Sequence, residues 1–173
     1  MHGKPENGFR YLGRELCRRF TTPMPHFTFW VYLILGVFVC GGFGIWFELV
    51  PYLYATNPGK LDGVFTALLT FFPTLVGSAT LHLIFAENEK PLKAFSLLYC
   101  AGFVLLACWL GFAKPTDMRL AIGGATVGAV ASVLIWWLAN GLDPAFQDQL
   151  TPNAPVGGDT DVAPPGDLSG FKV

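Results

Sequence analysis

Four long apolar runs separated by short polar loops dominate the chain, at roughly residues 27–50, 64–86, 94–113 and 120–142. Each reaches the roughly 20 residues with which an α-helix crosses about 30 Å of hydrocarbon. A soluble fold has no use for four such helices in 173 residues, because each would need a core to cover it on every side. The pattern predicts an all-α integral membrane protein: a four-transmembrane-helix bundle at 27–142, a cytoplasmic N-terminal segment at 1–26, and a tail at 143–173. Charged residues make up only 13 % of the chain against 53 % hydrophobic, about half the charged share of a soluble domain.

Lys and Arg near the membrane edge set orientation. Lys4, Arg10, Arg14, Arg18 and Arg19 precede the first run, and Lys90 and Lys93 lie between the second and third. The opposite side holds Lys60, Lys114 and Arg119. Both termini are therefore expected in the cytoplasm, at a bacterial inner membrane. The first run is too long for the apolar segment of a signal peptide and runs on into Trp46, Phe47 and Glu48, so it is expected to remain as an anchor.

Before that run, Phe9, Leu12, Leu16 and Phe20 share one helical face, with Arg10, Arg14 and Arg18 on another stripe. This pattern predicts an amphipathic helix lying at the headgroups, with Arg10, Arg14, Arg18 and Arg19 drawn to anionic lipid. Asp143 onward holds five Asp, one Lys and frequent Pro and Gly. It cannot bury enough surface to offset its conformational entropy, and is expected to be disordered.

Small residues mark helix-packing faces. Gly36, Cys40 and Gly44 recur every fourth residue in the first run, and Gly124, Gly128 and Ser132 in the fourth. One row suits the bundle itself; two leave a spare for a second copy or a membrane partner subunit. Trp30, Tyr32, Trp46, Tyr52, Trp109, Trp136 and Trp137 sit near the run ends as an aromatic belt.

Ionisable groups within spans are costly and often functional. Glu48 stands near the outer end of the first run, where copies of it could ring a pore mouth. His82 lies toward the inner end of the second, four residues after Ser78 and so within its hydrogen-bonding reach. Its uses range from a satisfied interior histidine through proton sensing to a cofactor ligand. Pro73 interrupts the second run amid Thr66, Thr70, Thr74 and Thr80, which makes this run the most polar and deformable. Glu48, Pro73, Ser78 and His82 are therefore the candidate gating or polar-pathway residues.

The cysteines Cys17, Cys40, Cys100 and Cys108 include no CxxC pair and read as small packing residues. In size and helix count the chain resembles the four-helix quinone-linked disulfide-generating enzymes, but it lacks their loop cysteine pairs. Like the small multidrug antiporters it has four short spans, but their carboxylate stands midway along the first helix and Glu48 stands near an end. In architecture it also resembles small four-span components of bacterial multi-protein systems, including antiphage defence membrane proteins. No catalytic set, phosphate loop, metal motif or nucleic-acid-binding patch is present in the sequence. The expectation is a non-enzymatic protein without cofactor that oligomerises as a membrane sensor, scaffold or pore-forming subunit, with lipid, a second copy and a cytosolic protein as partners. The alternatives are a small ion channel or transporter subunit with a polar pathway along the second span, and a cofactor-binding membrane enzyme subunit resting on His82.

Overall fold

A computed structural model of the protein describes residues 8–54, 61–86, 90–113 and 117–148. Among these residues every regular element is helical: α1 (Gly8–Thr21), α2 (Phe27–Gly41), α3 (Phe43–Tyr54), α4 (Asp62–Ala86), α5 (Lys90–Ala113), α6 (Met118–Asn140) and a 3-10 turn at Pro144–Phe146. Helices α4, α5 and α6 are each long and apolar enough to cross a membrane. The chain is an integral membrane protein by that measure, with three spans, or four if α2 and α3 together make one.

That pair falls on the run at 27–50 expected to be the first span. The axes of α2 and α3 diverge by 65°. The second part of α2, Tyr32–Gly41, winds as a π-helix, and the Gly42 N–H closes it with a bond to the Val37 carbonyl at 2.9 Å. A Cβ at Gly42 would overlap the carbonyl oxygen of Phe38. That same carbonyl accepts the Trp46 indole N–H at 2.7 Å. The break is thus closed by a side chain from its far side, which a low-dielectric setting requires of any freed backbone group. In the sequence the doublet Gly41-Gly42 reads equally well as a packing row.

Helix α4 is central and packs most extensively on α6, then on α5 and α3. Two clusters are stacked along it. Val64, Leu68, Phe72, Leu110, Ala125 and Ala129 fill the end near Glu48, and Val76, Ala79, Leu83, Leu92, Ile135 and Ala139 fill the end near α1. The small row of α6 lies inside this core: a Cβ on Gly128 would stand 3.1–3.2 Å from the Phe72 ring, and one on Gly124 would stand 3.2 Å from Leu110. Ser132 is fully buried and donates to the Ala129 carbonyl at 2.7 Å. The row of the first run is not a continuous face. Gly36 has open space beside it, Cys40 is exposed, and Gly44 lies past the bend against Ala67. The π-turns and the 65° bend rotate these three residues out of line.

Helix α1 crosses the end of the bundle. Leu12 and Leu16 pack against the α4–α5–α6 cluster. Phe20 stacks on Trp137, whose indole N–H donates to the Phe20 carbonyl at 3.0 Å. Arg19 departs from the expected headgroup stripe. It is 2 % exposed, donates to Glu15 at 3.2 Å, and donates to the Leu138 carbonyl at 3.3 Å. A guanidinium at the last carbonyls of α6 suits the negative end of that helix. Arg10, Arg14 and Arg18 remain exposed, with Arg18 also paired to Glu15 at 2.9 Å.

Candidate functional site: the outward polar row of α4

Helices in a membrane bundle ordinarily turn apolar residues to lipid. Helix α4 reverses this over most of its length. Between Asp62 and Ser78 its exposed positions are Asp62, Thr66, Thr70, Thr74 and Ser78, all polar, while Val64, Leu68, Phe72 and Val76 face the core. His82, half-buried, continues the same four-residue spacing. From Asp62 to His82 the row climbs about 30 Å at 1.5 Å per residue, close to the thickness of the hydrocarbon.

Each hydroxyl of the row satisfies its proton locally. Thr66 donates to the Asp62 carbonyl at 2.9 Å, Thr70 to those of Thr66 and Ala67 at 3.1 and 3.0 Å, Thr74 to Thr70 at 2.8 Å, and Ser78 to Leu75 at 3.0 Å. With the proton committed inward, a hydroxyl oxygen offers lone pairs outward. Pro73 adds to this, since it has no N–H to bond the carbonyl of Leu69. The row is therefore a line of hydroxyl oxygens with lone pairs facing outward.

The row borders a cleft. Gly41, Gly44, Ile45, Phe71, Thr70, Thr74 and Ser78 line a space of about 370 Å³ beside the α2–α3 break. A second space of about 520 Å³ continues it past Gly44, Glu48, Gly63 and Thr66. Glu48 is exposed, and its carboxylate occupies the place a Cβ on Gly63 would take. Glycines at 41, 44 and 63 keep the walls thin, so the cleft follows the hydroxyls from Glu48 toward Ser78.

The opposite end carries an arrangement that the sequence did not disclose. The expected Ser78–His82 hydrogen bond is replaced, because Ser78 bonds its own helix and His82 Nε2 stands 3.8 Å from Asp143 Oδ2. Asp143 begins the stretch expected to be disordered, yet residues 143–148 are packed. Asp143 Oδ1 accepts the Ala145 N–H at 2.9 Å and starts the 3-10 turn. Phe146 lies among Phe29, Tyr32 and Trp136, with ring centroids 6.4, 5.0 and 6.0 Å away. Asp148 accepts the N–H groups of Phe27 and, at 3.0 Å, Thr28, so it caps α2 from 120 residues away. Hydrogen bonds from Thr28, the side-chain bond first and the backbone bond next, hold the Asp148 carboxyl below the usual carboxylate range. The rest of the expected tail, 149–173, lies outside the described residues, as do Glu87, Glu89 and Lys114.

Of the candidates read from the sequence, Ser78 and His82 fall in the four-residue series of α4 with Thr66, Thr70 and Thr74; Glu48 meets the other end of that series beside Gly63 and Thr66, and Pro73 is half-buried and lies outside the series and the lining of the cleft. Asp143 and Asp148 are not legible in the sequence, because their partners are remote along the chain. Asp117, which caps α6 by accepting the Arg119 N–H at 2.9 Å, carries only the local signal of an acidic residue just before a helix. Among the described residues no group of three or more His, Cys, Asp or Glu could hold a metal ion. Comparison with protein-family models, curated proteins and solved structures finds no match.

Proposed function

We propose that the protein is a non-enzymatic, cation- or proton-conducting membrane subunit whose pathway runs along the outward row of α4. The observation that carries this reading is the reversal of α4: from Asp62 to Ser78, about 24 Å of helix presents acceptor oxygens on a face exposed among the described residues. A second copy, set with its own α4 against this face, would shield the row from acyl chains and close the cleft into a path. The broken first span supports the same reading, because discontinuous helices in membranes accompany sites where solutes contact backbone.

In this reading the α2–α3 pair is one broken span, making a four-span bundle with both termini cytoplasmic in a bacterial inner membrane. Glu48 and Asp62 mark the outer mouth, where carboxylates concentrate cations. His82 and Asp143 mark the inner one. Arg10, Arg14 and Arg18 meet headgroups, and α1 rides at the interface with its buried Arg19 as the pin. This choice favours the pore-forming subunit over the sensor, scaffold and cofactor readings.

The test is flux. Purified protein in liposomes carrying a pH-sensitive dye is driven by a potassium gradient with valinomycin, in parallel with a cation-sensitive dye. Thr70→Val with Thr74→Val removes two oxygens at nearly constant volume, and neither hydroxyl bonds another helix. Wild-type flux that the double variant abolishes, with the same elution volume, is the expected result. An inactive wild type in both dyes, or undiminished flux in the variant, overturns the proposal.

A further inference from the structure

At the Glu48 end of the cleft, charge and aromatic surface meet. There the space of about 520 Å³ is lined by Phe43, Phe47 and Glu48 of α3 and by Gly63 and Thr66 of α4. The two helices come to ordinary contact beside it, where a Cβ on Gly44 would stand 4.0 Å from Ala67. The Phe43 and Phe47 rings lie 6.3 Å apart and 31° from parallel, and both are mostly exposed, at 64 % and 67 %. Glu48 is exposed too, and among the described residues no hydrogen bond or ion pair engages its carboxylate. Gly63 gives that carboxylate its place, since a Cβ there would overlap it. Thr66 commits its proton to the Asp62 carbonyl at 2.9 Å and so presents lone pairs. One unpaired carboxylate therefore stands beside two phenyl rings at the mouth of the cleft.

We infer that this end of the cleft binds a small organic ammonium ion, held by the Glu48 carboxylate and by the Phe43 and Phe47 rings. The inference rests on reading Glu48 as the outer mouth of a pathway, and it names the class of cation admitted there. The sign of the ligand follows from Glu48, and its chemistry from the rest of the lining. A bare divalent metal ion takes roughly six oxygens, whereas Glu48 and Thr66 are the only side chains of this lining, among the described residues, that carry oxygen. A metal ion here would keep most of its water and gain little from the rings. An alkylated ammonium is weakly hydrated. Its carbon covers the phenyl surface, and its charge is attracted by the ring faces as well as by the carboxylate. A free ion also suits the shape of the site better than a lipid headgroup tethered to its acyl chains. Past Gly44 the cleft continues to Thr70, Thr74 and Ser78, and only an untethered ion can follow it.

The experiment titrates full-length protein in mild detergent with benzyltrimethylammonium by isothermal calorimetry, with benzenesulfonate as an anion of similar size. Saturable binding of the ammonium below about 10 mM, and none of the sulfonate, is the expected result. Glu48→Gln removes the charge at constant shape and should weaken binding about five-fold, and Phe47→Leu should weaken it about three-fold. Phe112→Leu, which removes a ring exposed on α5, should leave it unchanged. Elution volume checks that each variant is folded; should Glu48→Gln fail to fold, Phe47→Leu carries the test. Absence of saturable binding, equal affinity for the sulfonate, or a folded site variant that binds as wild type overturns the inference. Nanodiscs of phosphatidylglycerol, with and without phosphatidylethanolamine, separate a free ion from a headgroup. Binding that phosphatidylethanolamine abolishes assigns the site to lipid and overturns the inference as well. Flux keeps the two proposals apart: ammonium binding in a protein that conducts nothing leaves the site and removes the pathway, whereas conduction without such binding leaves the pathway and removes the site.

Discussion

Gly128→Leu should break this protein from within. The sequence alone reads Gly128 as part of a smooth helix face, available to a second copy. In the structure the space beside it belongs to Phe72, whose ring atoms would lie 3.1, 3.2 and 3.2 Å from a new Cβ, against 3.4–4 Å for ordinary contact. Phe72 has no room to retreat: it is 0 % exposed and backed edge-on by Phe103 at 6.0 Å. An alanine intrudes by a few tenths of an ångström, and its cost is partly offset by about 1 kcal/mol of better helix propensity. Leucine adds three further carbons to the same clash, and overpacking of this kind costs about 2–3 kcal/mol. For a chain of this length that lowers the apparent Tm by about 5–10 °C.

The assay is thermal unfolding in mild detergent, followed by Trp fluorescence, with Gly123→Leu as the neighbouring control. Gly123 has nothing within 4 Å of its virtual Cβ, so the control should stay within about 0.5 kcal/mol of wild type. A cycle with Phe72→Ala should recover at least about 1 kcal/mol of the Gly128→Leu loss, the coupling expected of residues in contact. If Gly128→Leu melts with the control and alters only the oligomeric state, the intramolecular assignment of this face is wrong.

Gly141→Val should detach α1 from the end of α6, because its Cβ would overlap the Arg19 carbonyl oxygen; faster exchange across Gly8–Thr21 with an intact bundle would show it. Glu15→Leu leaves Arg19 buried without its carboxylate, which costs about 3 kcal/mol, read as a lower Tm that Arg19→Met in the same chain partly restores. Acidification tests the Asp148 cap. Its carboxyl is held below the usual range, so its stabilisation is complete above the unfolded value of about 3.9 and disappears as pH falls through the lower folded value. Exchange protection at Phe27 and Thr28, corrected for the intrinsic rate, should persist at about pH 5 and vanish only below that range; loss near neutrality would contradict the cap. His82→Ala and Pro73→Ala should each reduce flux while leaving membrane insertion intact, and equal loss of inserted protein would make both positions merely structural.

Much of this molecule was legible in its sequence because hydropathy and helix length are sums over neighbours in the chain. The apolar runs at residues 64–86, 94–113 and 120–142 carry α4, α5 and α6; of the α1 face expected at the headgroups, Leu12, Leu16 and Phe20 instead meet the bundle while Phe9 is exposed. The sequence also marked the second run as the polar one. Where each residue points was decided elsewhere. Gly41-Gly42 and Gly124-Gly128 look alike on paper, yet one pair became a 65° break bonded by Trp46 and the other a seat for Phe72. The reason is that a glycine only permits close approach; the element that arrives determines its use. The same holds for the hydroxyls of α4, whose outward direction follows from Val64, Leu68, Phe72 and Val76 being claimed by α5 and α6. It holds too for Asp143 and Asp148, acidic residues in an apparently structureless stretch, which acquired partners only when folding brought His82 and the N-terminus of α2 within reach. Local chemistry determined that this chain enters a membrane, and tertiary packing decided which of its polar groups stay open there.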